Sequence, residues 1–331
     1  MPRVLVTGAG GFVARHVFSL LRARPDTVLF GTIRHRAPAG SRDGDDLLSA
    51  TLYEGDLTDP RFADEVVQRS QPDWIVHLAA QASVPASWID PAATLTNNVI
   101  AELNILEAVV HHVPHCRVLI VGSSEEYGRI RPEDLPVSED AALRPDSPYA
   151  VSKIAQDFLG LQYFLARGIP VIRVRPFNLI GPGQADQFAI PSFARQIAEA
   201  EAGLGPPVVR VGNLEARRDF TDVRDAARAY CLLLDRGRVG EVYNVGSGTC
   251  RSIGEMLAIL CRQARRPVEI QVDPSRFRPS DAPMVQCDAT RIHRDIGWRP
   301  LIPIEQSLHD VLEEWRRKTA ARLPGGREQT E

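Results

Sequence analysis

The sequence predicts an α/β chain: a doubly wound parallel sheet carrying a smaller C-terminal lobe. Three observations lead there. Arg3-Val4-Leu5-Val6-Thr7 is a short apolar run that passes through Gly8-Ala9-Gly10-Gly11 straight into an amphipathic helical pattern ending near Arg24. Further apolar runs of strand length, at 28–33, 52–57, 74–80, 118–121 and 169–175, recur between helical patterns; strands alternating with helices build a parallel sheet covered on both faces. After Phe177 the alternation weakens, and 178–211 and 248 onwards read as shorter elements. At 331 residues with 44% hydrophobic content, the chain can bury a large core without disulfide or metal staples.

The first strand, glycine turn and helix place Gly8, Gly11 and Ala14 at the spacing of a dinucleotide-binding Rossmann turn. Gly8 permits the tight turn, and Gly11 lets a pyrophosphate approach the backbone N–H groups that open the helix at Phe12 and Val13. An NAD-preferring fold carries an acidic residue at the end of the second strand to hold the ribose 2′-hydroxyl. Here Thr32, Arg34, His35 and Arg36 stand there instead. A cationic end suits a 2′-phosphate, so NADPH is the expected cofactor, with NADH possible, and Arg34 is its candidate contact. Residues 37–46, polar and glycine-containing, read as a loop.

Asp56, followed by Leu57, ends the third strand where an adenine amino group would lie. Trp74-Ile75-Val76-His77-Leu78-Ala79-Ala80 reads as a fourth strand running into small residues, against which a cofactor can rest. His77 reads as a packing residue. Pro91 to Val113 reads as one helix, with Asn98 a polar interruption of its apolar face and a candidate to hold a backbone group or water. His111, His112 and His115 lie close in sequence, but Pro114 sits among them; they read as a helix end and loop, and no metal is expected.

The stretch from Ser123 to Lys153 carries the chemistry. Ser147 is a suitable N-cap and Pro148 a suitable first residue for a helix that runs to Gly168. On it Tyr149 and Lys153 are four apart and share one face. A free phenol has a pKa of about 10, and an ammonium one turn away favours the phenolate. The phenol can then exchange a proton with an alcohol or ketone oxygen. The chain has two lysines, Lys153 and Lys318, among 39 basic residues, so a lysine at this position stands out from an arginine-rich background. The fifth strand, 118–121, leads to Gly122-Ser123-Ser124, where a hydroxyl can hold a substrate oxygen.

Composition excludes several classes. A net charge of −3 offers no basic field for nucleic acid. Five cysteines without close spacing argue against a disulfide framework. No apolar run has membrane-spanning length and no leader pattern opens the chain, so a cytoplasmic protein is expected.

Taken together, Thr7-Gly8-x-x-Gly11-x-x-Ala14, Leu78-Ala79-Ala80, Ser123 and Tyr149-x-x-x-Lys153 resemble the extended short-chain dehydrogenase/reductase family. The resemblance implies that Tyr149 is the acid/base, that Lys153 tunes it and binds the nicotinamide ribose, and that Ser123, four before Tyr127-Gly128, orients the substrate oxygen. Ser123-Ser124-Glu125-Glu126-Tyr127-Gly128, Arg175-Pro176-Phe177-Asn178, Arg217-Arg218-Asp219-Phe220-Thr221-Asp222 and Arg276-Phe277-Arg278 are similar to the nucleotide-sugar branch that handles GDP-mannose derivatives. They imply a GDP-sugar substrate and reduction of the C4 ketone of GDP-4-dehydro-6-deoxy-D-mannose, with Asn178, Arg218 and Arg278 as its contacts; arginine forks suit a diphosphate. Leu179 departs from the histidine usual at its position in that reductase branch, so no contact is expected from it. Glu125 stands where a 4,6-dehydratase of the family keeps its base, which leaves dehydration and 4-epimerisation open. A regulator that kept the fold and lost catalysis belongs to another class; retention of Ser123, Tyr149 and Lys153 argues against it. The resemblance further implies a homodimer through segments 91–113 and 147–168. Residues 1–176 plus 212–247 would bind the dinucleotide, and 177–211 plus 248–331 the nucleotide sugar.

Overall fold

The computed structural model of the protein describes residues 2–35, 50–277 and 282–322. Arg36, the 37–46 loop, Arg278 and the tail beyond Leu323 lie outside them. Thirteen strands are described: β1 (Arg3–Thr7), β2 (Val28–Ile33), β3 (Thr51–Glu54), β4 (Trp74–His77), β5 (Arg117–Val121), β6 (Val171–Pro176), β7 (Asn178–Ile180), β8 (Val208–Val211), β9 (Arg217–Asp222), β10 (Val242–Val245), β11 (Cys250–Ser252), β12 (Glu269–Val272) and β13 (Met284–Val285). Seven of them form one parallel sheet in the order β3-β2-β1-β4-β5-β6-β10. The strand order reverses between β1 and β4, and ligands of open α/β sheets bind at such a switch point, beyond the carboxyl ends of the strands.

Helices cover both faces. Phe12–Arg22 and Val223–Arg236 bury Val17, Phe18, Tyr230 and Leu233 against Val4, Val6 and Leu119. On the other face, Pro60–Ser70, Ala101–His112 and Pro148–Arg167 pack Val66, Ile105, Leu106 and Tyr163 onto Leu5, Ile75 and Ile120. The strands are buried on both sides, which is why they read as unbroken apolar runs.

The smaller lobe has its own core. Helices Ala189–Glu201, Ile253–Gln263 and Ile304–Ala320 enclose Phe193, Ile197, Leu257, Leu260, Leu308 and Leu312 around Val209 and Val211. β11, β9 and β13 form a sheet with β7 added beside β9, and β8 pairs with β12. Buried acids tie the lobes together. Asp219 accepts the backbone N–H groups of Ser247, Gly248 and Cys287, and Asp225 accepts those of Leu301 and Ile302, each at 2.8 Å. Of the segment 212–247 assigned above to the dinucleotide half, only helix Val223–Arg236 and β10 pack in or on the main sheet; β9 pairs within the smaller one.

Two further readings need correction. The 74–80 run leaves the ladder after His77 because the N–H groups of Leu78 and Ala79 both turn to Thr7 Oγ1, at 3.1 Å. The helix expected over 91–113 is three pieces, Pro91–Leu95, a π-helical turn Thr96–Ile100 and Ala101–His112. A separate helix, Val84–Ile89, precedes it, capped by Ser83, while Asp90 caps the next. His112 pairs with Asp64 at 2.7 Å.

Candidate active site

The helix Pro148–Arg167 begins and ends where its caps dictate. Ser147 accepts the N–H of Ala150 at 3.1 Å, and Gly168 closes it at φ 70°. Tyr149 and Lys153 lie on its buried face, the lysine nitrogen 6.0 Å from the phenol ring centroid. Gly160 lets the helix settle onto the sheet; a Cβ there would stand 2.3 Å from Ile120 Cδ1. Lys153 Nζ donates to the carbonyl of Val121, the last residue of β5, at 2.8 Å.

β5 then delivers Ser123. A 3-10 turn, Ser124–Tyr127, follows it, with Ser123 as its cap. Ser123 Oγ accepts the N–H of Glu125 at 3.2 Å, and the Ser123 N–H donates to Glu126 Oε1 at 2.8 Å. The Ser123 hydroxyl lies near the phenol of Tyr149 and favours its charged form. Ser123 is therefore the hydroxyl brought to Tyr149, and its neighbour Ser124 faces the cleft.

The electrostatics differ from the expectation for Tyr149. Burial pushes its phenol well above the ordinary value, the nearby Ser123 hydroxyl opposes this, and Glu125 and Glu126 add to it. Lys153 does not reverse the shift: burial brings the amine itself down to about 8. The phenol thus holds its proton at neutral pH, the form that an acid needs.

Two clefts open along the carboxyl edge of the sheet. One is lined by Gly8, Arg34, Asp56, Leu57, Ala79 and Ala80, with Thr32, Gln81 and Asn97. Gly8 has φ +67°, and a Cβ on it would stand 2.9 Å from Ala79 Cα. Gly10 faces open space, and Gly11, Phe12 and Val13 present a helix N-terminus without a carboxylate in its first turn. Arg34 reaches across this cleft to Asp56 at 3.5 Å and to Asn97 Oδ1. A glycine cradle, a bare helix N-terminus and a guanidinium fit a phosphorylated dinucleotide. Thr7 Oγ1 accepts two N–H groups here, so its own hydroxyl donates to His77 Nδ1 at 3.0 Å. Burial brings His77 down to about 3, so it is a neutral packing residue.

The second cleft brings Glu125, Asn178 and Arg218 together with Ser124 and Ser147, against an apolar wall of Val84, Pro85 and Trp88. Arg218 Nη1 donates to the carbonyls of Arg217 and Ala282, at 2.8 and 2.7 Å. Leu179 packs against the main core.

Sequence reasoning missed four residues here. Trp88 lies on Val84–Ile89, a helix too short to show a periodic signal. Asn97 bridges Arg34 to Asn98, which in turn holds the Gln81 backbone and Ser152 Oγ. Glu126 and Glu102 are buried carboxyls near Lys153. Glu102 falls four after Asn98, on the same face, and that spacing was the available signal.

A family model described as GDP-mannose 4,6 dehydratase matches residues 5–311. The chain belongs to the GDP-mannose 4,6 dehydratase family. Within this family of nucleotide-sugar enzymes, it is 38% identical over 313 residues to the GDP-6-deoxy-D-mannose reductase of Pseudomonas aeruginosa, covering 95% of this chain and 97% of that one. It is 30% identical over 278 residues to a dTDP-glucose 4,6-dehydratase of Xanthomonas campestris, covering 79% and 78%. Among solved structures, RMD from Pseudomonas aeruginosa complexed with NADPH superposes with a TM-score of 0.85 at 36% identity, covering 96% of this chain and all of that one.

Replacing Gly8 with alanine tests the cradle. The left-handed backbone costs about 1–2 kcal/mol for a residue with a Cβ, and the approach to Ala79 adds to it. Denaturant titration is expected to show at least that loss; an unchanged midpoint refutes the cradle's geometry.

Proposed function

We propose that this protein uses NADPH to reduce the C4 ketone of GDP-4-dehydro-6-deoxy-D-mannose, forming GDP-D-rhamnose. The observation that carries the reading is a protonated, buried phenol, Tyr149, with the Ser123 hydroxyl near it, in a chain similar over almost its whole length to a reductase of that sugar. NADPH, when bound, would supply the hydride for C4. As charge develops on the carbonyl oxygen, Tyr149 gives it a proton and Ser123 hydrogen-bonds it. Lys153, held by Val121 O, places a positive charge near the phenolate left behind and would hold the nicotinamide ribose. Arg218 and Asn178, with Arg278, take the diphosphate and sugar. Residues 1–176 with helix Val223–Arg236 and β10 serve the dinucleotide, and 177–211, β9 and 248–331 the nucleotide sugar.

Glu125 lines the sugar cleft and supports a second reading, 4,6-dehydration, in which it removes a proton from C5. A dehydratase or a 4-epimerase restores its cofactor at each turnover, whereas a reductase consumes one NADPH per product. The reductase reading fails if GDP-mannose is dehydrated without net NADPH loss. Tyr149→Phe is expected to lower kcat about 100- to 10,000-fold, the usual worth of a general acid, with NADPH affinity kept; substantial remaining turnover would remove Tyr149 from the role.

Arg34 is assigned to the 2′-phosphate of NADPH. A charge-assisted hydrogen bond contributes about 1.5–3 kcal/mol, so Arg34→Ala is expected to cut the NADPH-over-NADH preference in kcat/KM by about 10- to 100-fold. An unaltered ratio would reassign that contact.

The reading includes a cytoplasmic homodimer. Leu95, Val151, Phe158 and Leu165 are exposed apolar residues on the two helical segments expected to pair, and the five cysteines are free thiols, which suits a reducing compartment. Light scattering is expected to give twice the chain's 36.5 kDa; a mass equal to one chain would overturn the dimer.

A further inference from the structure

Beneath the active site lies a buried group of charges. Lys153, Arg173 and Arg175 face Glu102, Glu126 and Asp157, and all six are nearly out of contact with solvent. A dry ammonium is tolerable only with a counter-charge or full hydrogen bonding. Asp157 is occupied by both arginines, at 2.5 Å from Arg173 and 2.9 Å from Arg175. Glu126 gives one oxygen to the Ser123 N–H and the other to Arg175 at 2.9 Å. Glu102 has no such partner, and no ion pair joins it directly to Lys153; the two charges act on each other across a gap. Neither of its oxygens makes a hydrogen bond of good geometry, and the Gln156 amide beside it makes none either. Lys153 in turn has one hydrogen bond, to Val121 O.

We propose that Glu102 is the buried counter-charge of Lys153, a positioning residue that acts on the reaction through that lysine and keeps its amine an ammonium under Tyr149. The assignment follows from pairing: three basic groups stand among three acidic ones, and two of the acids are taken by the arginines. Burial drives the Glu102 carboxyl well up and the Lys153 amine down to about 8, and each group opposes the other's shift. The other groups facing the pair are Glu126, which also favours the ammonium, Asp157, which raises Glu102 further, and His77, which is neutral. The consequence for catalysis rests on the reductase reading; the pairing does not.

Lys153 and Lys318 are the only lysines in the chain, so ¹³Cε-lysine NMR of the full-length protein yields two resonances and reads Lys153 directly. In Glu102→Gln the Lys153 resonance is expected to titrate about one pH unit lower, a tenfold change in the ammonium-to-amine ratio, with Lys318 unmoved. The alkaline limb of kcat/KM should move to lower pH with it, because the amine then loses its proton sooner. Glu102→Asp, which keeps the charge, should restore most of the difference. In the unaltered protein a glutamate carboxyl carbon should shift in the same titration step as Lys153, so the idea remains testable if the glutamine variant does not fold. A Lys153 titration identical in Glu102→Gln, or a lysine step in the parent without a carboxyl partner, overturns the pairing. A shifted lysine with an unmoved kcat/KM profile overturns its part in the reaction, and loss of all reductase activity in the parent would fault the functional reading alone.

Discussion

A positive charge taken out of water organises this molecule. Lys153 is buried, and its ammonium rests on the carbonyl that ends β5. That contact sets how the helix bearing the lysine lies on the sheet. Ser147 and Pro148 fix where the helix starts, and Gly160 allows it close to Ile120. Tyr149, one turn before the lysine, is carried to Ser123 by the same geometry. Ser123 is in turn fixed by Glu126, whose carboxylate fits beside Gly122 because no side chain stands there; a Cβ would lie 2.2 Å from Glu126 Oε1. Phenol, hydroxyl and amine are thus placed by one close-packed junction of strand, turn and helix.

The burial that makes this arrangement precise also sets its chemistry. Water is excluded from the phenol, which therefore keeps its proton, while desolvation weakens the lysine's hold on its own. The two shifts run in opposite senses and suit one direction of reaction, in which a proton is given to an oxygen gaining charge. The phosphate-facing cleft is built differently. It uses backbone N–H groups, a helix N-terminus and the exposed Arg34, groups that need no such desolvation to attract an anion.

Much of this was legible in the sequence. The parallel sheet followed from apolar runs, since strands covered on both faces leave no alternation to misread. The helix of Tyr149 and Lys153 was readable almost to the residue, because Ser147, Pro148 and Gly168 are strong end signals. Gly8, Arg34, Asp56, Ala79 and Ala80 did gather in one cleft, as did Glu125, Asn178 and Arg218 in another. What escaped was tertiary. The pKa of Tyr149 depends on burial, which spacing along a helix does not reveal. β9 reads like a continuation of the first domain, yet its partners β11 and β13 come from the end of the chain. Glu102 looks like an ordinary polar residue in a helix until its neighbours are known.

The π-helical turn at Thr96–Ile100 has a bearing on the length of the segment that carries it. Such a turn holds one residue more than an α-helical turn would, and each residue of a helix advances it by about 100°. Asn97 faces Arg34 while Asn98 faces Ser152, so this single loosened turn serves two neighbours at once. Deleting one residue would rotate one half of the segment against the other by about 100° and take Asn97 and Asn98 out of register with these neighbours. The length of this segment is therefore part of how it is built, since both contacts depend on the extra residue of the turn.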